Sequence, residues 1–178
     1  LILHHSFYYV NKTHKSSFIN IIGKPNVGKS SLVNYFMGRK ISIISPKAQT
    51  TRHRIFSILN DDYYQLVFSD LPGIITPKNK LHKSMMKFVS GSYLDADVIL
   101  LVIDSSKDDY FDNDLIDKIK SLKIPILIVL NKIDLIDNII LDQIVEKFGS
   151  IFNNEFIFPI SITNPFNLDN LLDKIIEL

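Results

Sequence analysis

The sequence predicts an α/β domain of three layers, with helices on both faces of a six-stranded mixed sheet whose strands are mostly parallel. Short apolar runs of strand length alternate with amphipathic stretches of helix length along the chain. A second observation is the stretch at residues 23–30, GKPNVGKS, which has the phosphate-binding form G-x-x-x-x-G-K-[ST]. An apolar run precedes this phosphate loop and an amphipathic stretch follows it, which is the strand–loop–helix context that the motif requires.

The composition fits one such domain and excludes several classes of protein. The chain has 178 residues, of which 46% are hydrophobic, and its net charge of +1 does not indicate a nucleic-acid-binding domain. The absence of cysteine excludes a disulfide framework and a cysteine nucleophile. No apolar run approaches the ~20 residues that a transmembrane segment needs, and we expect a cytoplasmic monomer.

The first residues differ in character from the rest of the chain. Residues 1–16 begin without methionine and have no basic segment ahead of a short apolar run, which argues against a signal peptide. We interpret residues 1–16 as an N-terminal leader and expect them to be disordered. The folded domain is expected over residues 17–178, with no room for a second domain after the last helix.

A strand and a helix are predicted on either side of the phosphate loop. A strand at 17–22 leads into the loop, and a helix at 31–37 follows, which Gly38 is expected to end. The connection at 39–54 is long for a compact domain, and long ordered connections are often functional.

The remaining chain predicts a hairpin and then a regular alternation. Strands at 55–59 and 63–68 are separated by the turn Asn60-Asp61-Asp62, which indicates an antiparallel hairpin. The elements that follow are helices at 81–94, 113–122, 139–148 and 168–178, and strands at 98–104, 124–130 and 156–160.

The residue types of the phosphate loop suit a nucleoside triphosphate. Gly23 and Gly28 let the backbone approach phosphate oxygens without an intervening Cβ, and the N–H groups at the helix start donate to them. Lys29 is expected to bridge the β- and γ-phosphates, and the Ser30 hydroxyl to bind Mg²⁺. The predicted contacts of the loop are Gly23, Lys24, Pro25, Asn26, Val27, Gly28, Lys29, Ser30 and Ser31.

A second motif, Asp70-Leu71-Pro72-Gly73, closes a predicted strand. Alone it would indicate an ordinary turn. Beside a phosphate loop, Asp70 is placed to hold Mg²⁺ through a water, and the Gly73 N–H to meet the γ-phosphate. We therefore predict that Asp70, Leu71, Pro72 and Gly73 line the nucleotide site.

A third motif predicts which base is bound. Asn131, Lys132 and Asp134 form N-K-x-D after a buried strand, at the sheet edge where ligands of such folds bind. The Asp134 carboxylate can accept from N1–H and N2–H₂ of guanine, whereas adenine offers no such pair. Asn131 is expected to tie this loop to the phosphate loop, while the Lys132 stem covers the base. The backbone at Ser161 and Ile162, after the last strand, is predicted to contact guanine O6.

These stretches resemble the domain of translation-factor-like GTPases, which implies the small GTPase-like P-loop NTPase fold. Asn26, with PKA at 46–48 and QTTRH at 49–53, resembles the Era family within the TrmE-Era-like group, and the resemblance covers residues 18–178. It implies a first switch at Thr50 and Thr51, in which one of the two threonines, Thr51 in preference to Thr50, is a Mg²⁺ ligand, and a second switch at 70–80. The catalytic residues that follow are Lys29, Thr51 and Gly73.

The resemblance also implies a partner. Era-family proteins act in maturation of the small ribosomal subunit and bind its RNA through a C-terminal KH domain. That domain is missing from these 178 residues, so we expect only weak RNA binding. Ile162 and Pro165 depart from the small residues usual after the last strand. Seven basic residues form either an RNA-facing strip or a solvated helix face, and the near-neutral charge favours the second: Arg52, Arg54, Lys78, Lys80, His82, Lys83 and Lys87.

One substitution bears on hydrolysis. Ile74 occupies the position after Gly73, where Ras-like GTPases place a glutamine that orients water. Some relatives of the Era family use K⁺ held partly by the asparagine of the phosphate loop, and Asn26 either does the same or only caps the loop.

The sequence thus predicts a Mg²⁺-dependent, GTP-binding hydrolase that acts as a switch in small-subunit assembly. One alternative is a guanine-nucleotide-binding module that has lost hydrolysis. Another is a different GTPase of the same superfamily, of the membrane-transport or tRNA-modification kind.

Overall fold

The computed structural model describes residues 14–39, 54–108, 111–153 and 156–178. The strands are β1 (Lys15–Ile22), β2 (Ile55–Asn60), β3 (Tyr64–Asp70), β4 (Val98–Asp104), β5 (Ile126–Asn131) and β6 (Ile157–Pro159). The helices are α1 (Lys29–Arg39), α2 (Lys80–Ser92), α3 (Asn113–Lys120), α4 (Asn138–Phe152) and α5 (Leu168–Glu177). No helix in these described ranges is long and apolar enough to cross a membrane.

The strands form one sheet in the order β2-β3-β1-β4-β5-β6. All neighbouring pairs are parallel except β2 and β3, which form an antiparallel hairpin. The predicted α/β fold, with its mixed and mostly parallel sheet of six strands, is confirmed. Because the chain builds outwards from β1 first on one side and then on the other, β1 and β4 flank the switch point at which such sheets bind ligands.

Two hydrophobic clusters place helices on both faces of the sheet. On one face, Phe36 of α1 and Leu171 of α5 are buried against the strands. On the other, Val89 of α2, Ile119 of α3 and Phe148 of α4 are buried. Burying a side chain of this size contributes about 1.5–3 kcal/mol, so both clusters hold the strand ends firmly in place.

All five predicted helix ends differ from the structure. Helix α3 ends at Lys120 rather than at residue 122, α4 at Phe152 rather than at 148, and α5 at Glu177 rather than at 178. Gly38 does not end α1, which continues to Arg39, and a Cβ at Gly38 would meet no atom within 4 Å. The cost of an exposed glycine inside a helix, about 1 kcal/mol, is small beside the burial of Phe36 and Met37, which directly precede it. Helix α2 ends at Ser92, not at residue 94, because the chain tightens into a 3₁₀ turn at Tyr93–Asp95.

Four strand starts also differ from the prediction, those of β3 and β6 by one residue and those of β5 and β1 by two. Strand β5 begins at Ile126 rather than at residue 124, because Pro125 has no N–H to donate; its carbonyl accepts from the Ile99 N–H at 3.0 Å. Strand β1 begins at Lys15, two residues before the expected domain boundary, and pairs there with Tyr64. Residues 1–13 lie outside the described residues, so the disordered leader stays a prediction.

Candidate nucleotide site

Four parallel strands bring their carboxyl ends to one edge of the sheet. Strand β1 runs into the phosphate loop, while β3 ends at Asp70, β4 at Asp104 and β5 at Asn131. The four ends are neighbours in the strand order β3-β1-β4-β5. The three predicted motifs therefore meet at one place, although 108 positions separate residue 23 from residue 131 in the sequence.

The phosphate loop has positive φ angles at Gly23 and Gly28, as expected from its two glycines. Gly23 has φ 155°, Gly28 has φ 104°, and Asn26 is left-handed with φ 63°. A Cβ at Gly23 would collide with the Val102 carbonyl oxygen, and one at Gly28 would collide with the Asn131 amide. The glycines are thus required by protein neighbours as well as by any bound phosphate.

Lys29 is held at the centre of the loop. Its ammonium donates to the Gly23 carbonyl at 3.2 Å and to the Lys24 carbonyl at 2.9 Å, and the residue is buried. Burial lowers the pKa of Lys29 to about 8, and the nearby Asp70 carboxylate opposes that shift. The lowered pKa means that the partners of Lys29 do not fully offset the cost of burying its charge. A bound anion would stabilise the charged form.

Ser30 and Asp70 provide the oxygen donors expected for Mg²⁺. The Ser30 hydroxyl at the start of α1 donates to Asp70 Oδ2 at 2.5 Å, across the gap between two elements. A hydroxyl and a carboxylate in contact fit a hard cation that prefers oxygen ligands. Their juxtaposition agrees with the predicted metal role of both residues.

The chain after β3 lies on the phosphate loop. A Cβ at Gly73 would come within 2.7 Å of Pro25, so the two loops touch at this glycine. The Ile74 N–H donates to the Gly23 carbonyl at 2.9 Å, and the Ile74 side chain packs against the cluster beneath α2, α3 and α4. Leu71 and Pro72 are buried. The predicted contact of the Gly73 N–H with a γ-phosphate stays a prediction.

The predicted link from Asn131 to the phosphate loop is present. The Asn131 amide donates to the Val27 carbonyl at 2.8 Å, and the residue is buried. Lys132 adopts a left-handed conformation with φ 66°, and its ammonium donates to the Asn26 carbonyl at 3.0 Å. The base loop, residues 131–135, is therefore joined to the phosphate loop by two side chains.

Ser161 has a role that the sequence did not reveal. We expected its backbone to contact the base, whereas its buried hydroxyl donates to Asp134 Oδ1 at 2.6 Å and accepts from the Asn164 N–H at 3.0 Å. Ser161 thereby orients the Asp134 carboxylate, whose base-reading role stays a prediction. The partly buried Ile162 side chain packs near Gly28, so its predicted backbone contact with O6 stays a prediction.

Asp104 is a site residue that the sequence reasoning missed. It is buried at the end of β4, and its Oδ2 accepts from the Lys132 ammonium at 2.6 Å. Burial raises the pKa of Asp104, but hydrogen bonds from Lys132 and Ser106 outweigh it and leave that pKa lowered. The available signal was an acidic residue that closes an otherwise apolar strand, VILLVID, which falls along the chain between the strands that end at Asp70 and Asn131.

The predicted first switch lies outside the described residues. This applies to Thr50, Thr51 and Arg52, and to the family-like stretch at 46–53. Arg54, the first described residue after it, does not belong to an exposed basic strip. Its guanidinium donates to Ser69 Oγ at 2.7 Å and forms an ion pair with Asp95 at 2.5 Å.

The other basic residues near α2 are exposed, as a solvated helix face would be. Lys78, Lys80, Lys83 and Lys87 are exposed, and His82 is half-buried. His82 Nδ1 accepts from the Lys78 N–H at 3.3 Å at the start of the helix.

Comparison with known proteins agrees with this site. The family model described as 50S ribosome-binding GTPase matches residues 18–132. GTPase Era of Caldicellulosiruptor saccharolyticus is 42% identical over 166 residues, which is 92% of this chain and 55% of that protein.

Two solved structures of Era are similar over 92% of this chain, each at 39% identity. One is Era with MgGDPNP and nucleotides 1506–1542 of 16S ribosomal RNA, with a TM-score of 0.76 and 57% of its chain covered. The other is a variant of Aquifex aeolicus Era bound to GDP and AlF₄⁻, with a TM-score of 0.75 and 56% covered. This chain spans little more than half the length of these relatives. It belongs to the family of 50S ribosome-binding GTPases, and its resemblance to the Era GTPases is confirmed.

Proposed function

We propose that this chain is a guanine-nucleotide switch that binds GTP and GDP with Mg²⁺ and hydrolyses GTP. The observation that carries the proposal is the convergence of three motifs at one sheet edge, where direct hydrogen bonds join them. Ser30 contacts Asp70, Asn131 contacts Val27, and Ser161 contacts Asp134. An arrangement held in this way is formed before a ligand arrives, which lowers the cost of ordering it on binding.

Each polar group has a chemical task at this site. The N–H groups at the start of α1 and the Lys29 ammonium would bind the β- and γ-phosphate oxygens. Ser30 and Asp70, with Thr51 proposed from the family resemblance, would hold Mg²⁺, which neutralises negative charge on the triphosphate. Asp134, with one oxygen fixed by Ser161, would present the other to the N1–H and N2–H₂ edge of guanine.

Hydrolysis by the chain alone is expected to be slow. The Ile74 side chain is apolar and lies partly buried against the hydrophobic cluster, so it cannot orient a water by hydrogen bonding. We propose that K⁺ held partly by Asn26 stabilises the negative charge of the transition state, in the manner of an arginine finger. Asn26 supports this proposal because it is exposed on the phosphate loop and left-handed there.

We further propose that the whole protein acts on the small ribosomal subunit and its RNA, as a cytoplasmic monomer. A related Era has been solved with a segment of 16S ribosomal RNA, and that protein is 39% identical to this chain over 92% of the chain's length. The near-neutral charge of +1 supports weak RNA binding by these 178 residues alone.

Nucleotide binding and single-turnover hydrolysis test the proposal. We expect the chain to bind GTP and GDP in the presence of Mg²⁺, to discriminate strongly against ATP, and to release phosphate from GTP faster when small ribosomal subunits are added. Failure to bind guanine nucleotide would contradict the proposal. Binding without release of phosphate, with or without subunits, would favour the non-hydrolysing module, which Ile74 makes the second candidate.

A further inference from the structure

Asp104 lies one strand away from the base loop. It ends β4 and pairs in register with Asn131, the last residue of β5 and the first of the base loop. The next residue, Ser105, donates its N–H to the Asn131 carbonyl at 2.9 Å. The backbone at the end of β4 is therefore fixed relative to the base loop, and so is the Asp104 carboxylate.

Both oxygens of Asp104 are engaged by its neighbours. Oδ1 accepts from the Ser106 N–H at 3.1 Å and from the Ser106 hydroxyl at 2.6 Å. Oδ2 accepts from the Lys132 ammonium at 2.6 Å, and the more exposed Lys107 ammonium lies 3.5 Å from it. These bonds allow the buried carboxylate little rotation, so it is a fixed anchor for Lys132.

The anchor determines where the Lys132 side chain lies. Its ammonium bridges Asp104 Oδ2 and the Asn26 carbonyl, one partner in the strand layer and one on the phosphate loop. A lysine side chain that is free to rotate loses conformational entropy when it is immobilised. Here that loss is incurred on folding rather than on nucleotide binding, because Asp104 already holds the ammonium.

We propose that Asp104 is a positioning residue that holds Lys132 across the base side of the nucleotide site and thereby slows nucleotide release. The inference rests on the proposed function and on the role predicted from the sequence for the Lys132 stem, which is to cover the guanine base. Asp104 acts through Lys132 and not by contact with the nucleotide.

The experiment measures the dissociation rate of a fluorescent N-methylanthraniloyl derivative of GDP from the full chain with Mg²⁺. Asp104→Asn keeps the size of the side chain and removes its charge. We expect release about 10-fold faster, which corresponds to about 1.4 kcal/mol. Lys132→Ala should also accelerate release. In the Lys132→Ala background, Asp104→Asn should accelerate release by less than about 2-fold, because Asp104 then has no Lys132 ammonium to bind.

Asp97→Asn is the matched control. Asp97 lies just before the start of β4, at the opposite edge of the sheet, and its Oδ2 accepts from the Phe18 N–H at 2.7 Å. The substitution removes a carboxylate that accepts a backbone N–H, as Asp104 does, but far from the nucleotide, so the release rate should stay at the wild-type value.

Three outcomes decide between the inference and its competitors. Wild-type release rates for Asp104→Asn, with faster release for Lys132→Ala, would overturn the inference. Equal acceleration by Asp104→Asn in both backgrounds would also overturn it, because the effect would then not pass through Lys132. If the wild-type chain retains no GDP derivative, the proposed function itself fails.

Ser106→Ala keeps the inference testable if Asp104→Asn does not fold. It removes the hydroxyl bond to Asp104 Oδ1 from an exposed residue and leaves the backbone bond in place. We expect release about 3-fold faster in the wild-type background and unchanged in the Lys132→Ala background. Release that Ser106→Ala leaves at the wild-type rate would count against the anchor.

Discussion

Most reactive side chains of the nucleotide site are held by a partner from another element. Lys29 of α1 bonds to carbonyls of the phosphate loop, Ser30 bonds to the end of β3, and Asp134 bonds to Ser161 beyond β6. Charged and buried hydrogen bonds of this kind fix orientation within a few tenths of an ångström. Substitutions at single residues should therefore change nucleotide selectivity without disturbing the fold.

Asp134→Asn should move base preference from guanine to xanthine. The Ser161 hydroxyl accepts from Asn164 and donates towards residue 134, so the new amide should turn its oxygen to Ser161 and its NH₂ to the base. Facing the 2-amino group of guanine, that NH₂ places donor against donor, at about 1–3 kcal/mol for each unpaired group.

GTP affinity should then fall by at least ~10-fold. Xanthosine triphosphate, which has a carbonyl oxygen at the same place, should bind the variant better than it binds the wild type. Dissociation constants of both nucleotides for both proteins measure this. Asp137→Asn is the control, because Asp137 caps α4 with a bond to the Ile140 N–H at 2.9 Å and asparagine caps equally well. Unchanged GTP affinity in Asp134→Asn would remove the assignment of Asp134 as the base-reading residue.

Lys29→Met should abolish stabilisation by GTP while raising the stability of the ligand-free chain at neutral pH. The pKa of Lys29 is about 8 in the folded chain and 10.5 in the unfolded one, so between these values the unfolded chain binds more protons. The unfolding free energy of the wild type therefore rises from pH 8 to pH 10.5, and the penalty for the buried charge is fully present below pH 8.

The advantage of Lys29→Met should accordingly be greatest below pH 8, on the order of a few kcal/mol, and disappear towards pH 10.5. Chemical denaturation across this pH range, with and without GTP, measures both effects. Lys123→Met, at an exposed lysine before β5, should show neither. Retention of GTP-induced stabilisation by Lys29→Met would contradict the phosphate-loop assignment.

Hydrolysis should be faster in K⁺ than in Na⁺, and slow in either without a partner, at ~10⁻² s⁻¹ or below. The reason is the apolar Ile74 in place of a water-orienting glutamine, together with Asn26 on the phosphate loop. Asn26→Gly is the matched variant, because glycine tolerates φ 63° and lacks only the side chain. It should keep nucleotide binding and lose the difference between the salts. Equal wild-type rates in the two salts would remove K⁺ from the proposal and leave GTP hydrolysis standing.

At the level of elements, a polar network holds the sheet to the end of α2. Arg54, immediately before β2, bonds to Ser69 in β3, to Asn20 in β1 at 3.2 Å, and to Asp95 just past α2. Asn20 in turn donates to the Ser92 carbonyl. Asn20 and Ser69 are fully buried, so the Arg54 guanidinium satisfies polar groups that water does not reach.

Arg54→Met should destabilise the chain by on the order of 2–4 kcal/mol, because it leaves the buried Asn20 and Ser69 groups without this donor. Urea denaturation measures the unfolding free energy. Arg54→Lys should recover only part of the loss, because one ammonium cannot reach three partners in fork geometry. A loss below about 0.5 kcal/mol in Arg54→Met would show that water replaces the guanidinium.

The elements and the three motifs could be predicted because their signals are local. Apolar runs of four to eight residues define buried strands, and each site motif fits within eight consecutive residues. The network of Arg54 could not be predicted in this way, and neither could the Lys15 ammonium, which donates to the Ile176 and Glu177 carbonyls at the end of α5. Such pairs depend on the tertiary packing of segments that are far apart in the chain. The sequence around each single residue contains no pattern that predicts its partner.

Asp104 and Ser161 show the same limit inside the site. Both lie at the predicted sheet edge, yet their tasks depend on which side chains face them across the strands, Lys132 and Asp134 respectively. The sequence predicted that Asp104 closes one strand and that Ser161 follows another, but not which partners their side chains contact.

At the level of the whole molecule, charge limits what this chain does alone with RNA. The net charge is +1, and Arg54 is engaged in the sheet, so among the described residues the basic surface near the predicted second switch consists of the exposed lysines around α2. These are Lys78, Lys80, Lys83 and Lys87. Binding of RNA through lysines is driven by the release of counterions from the phosphates that they neutralise. Four lysines can neutralise few phosphates, so binding should be weak and electrostatic.

The chain should therefore bind an RNA of the segment found with a related Era, nucleotides 1506–1542 of 16S ribosomal RNA, only in the non-specific range of about 10⁻⁴–10⁻⁶ M at physiological salt. Fluorescence anisotropy at several salt concentrations measures the affinity and its slope. Changing the four lysines to glutamate should weaken binding further and flatten the salt dependence, whereas Lys120→Glu and Lys123→Glu, at the far end of α3, should change it little. A dissociation constant in the nanomolar range for the wild type, lost in the four-glutamate variant, would show that the α2 face is a specific RNA surface. The same tight binding retained in that variant would place the RNA elsewhere on the chain and overturn the expectation of weak binding.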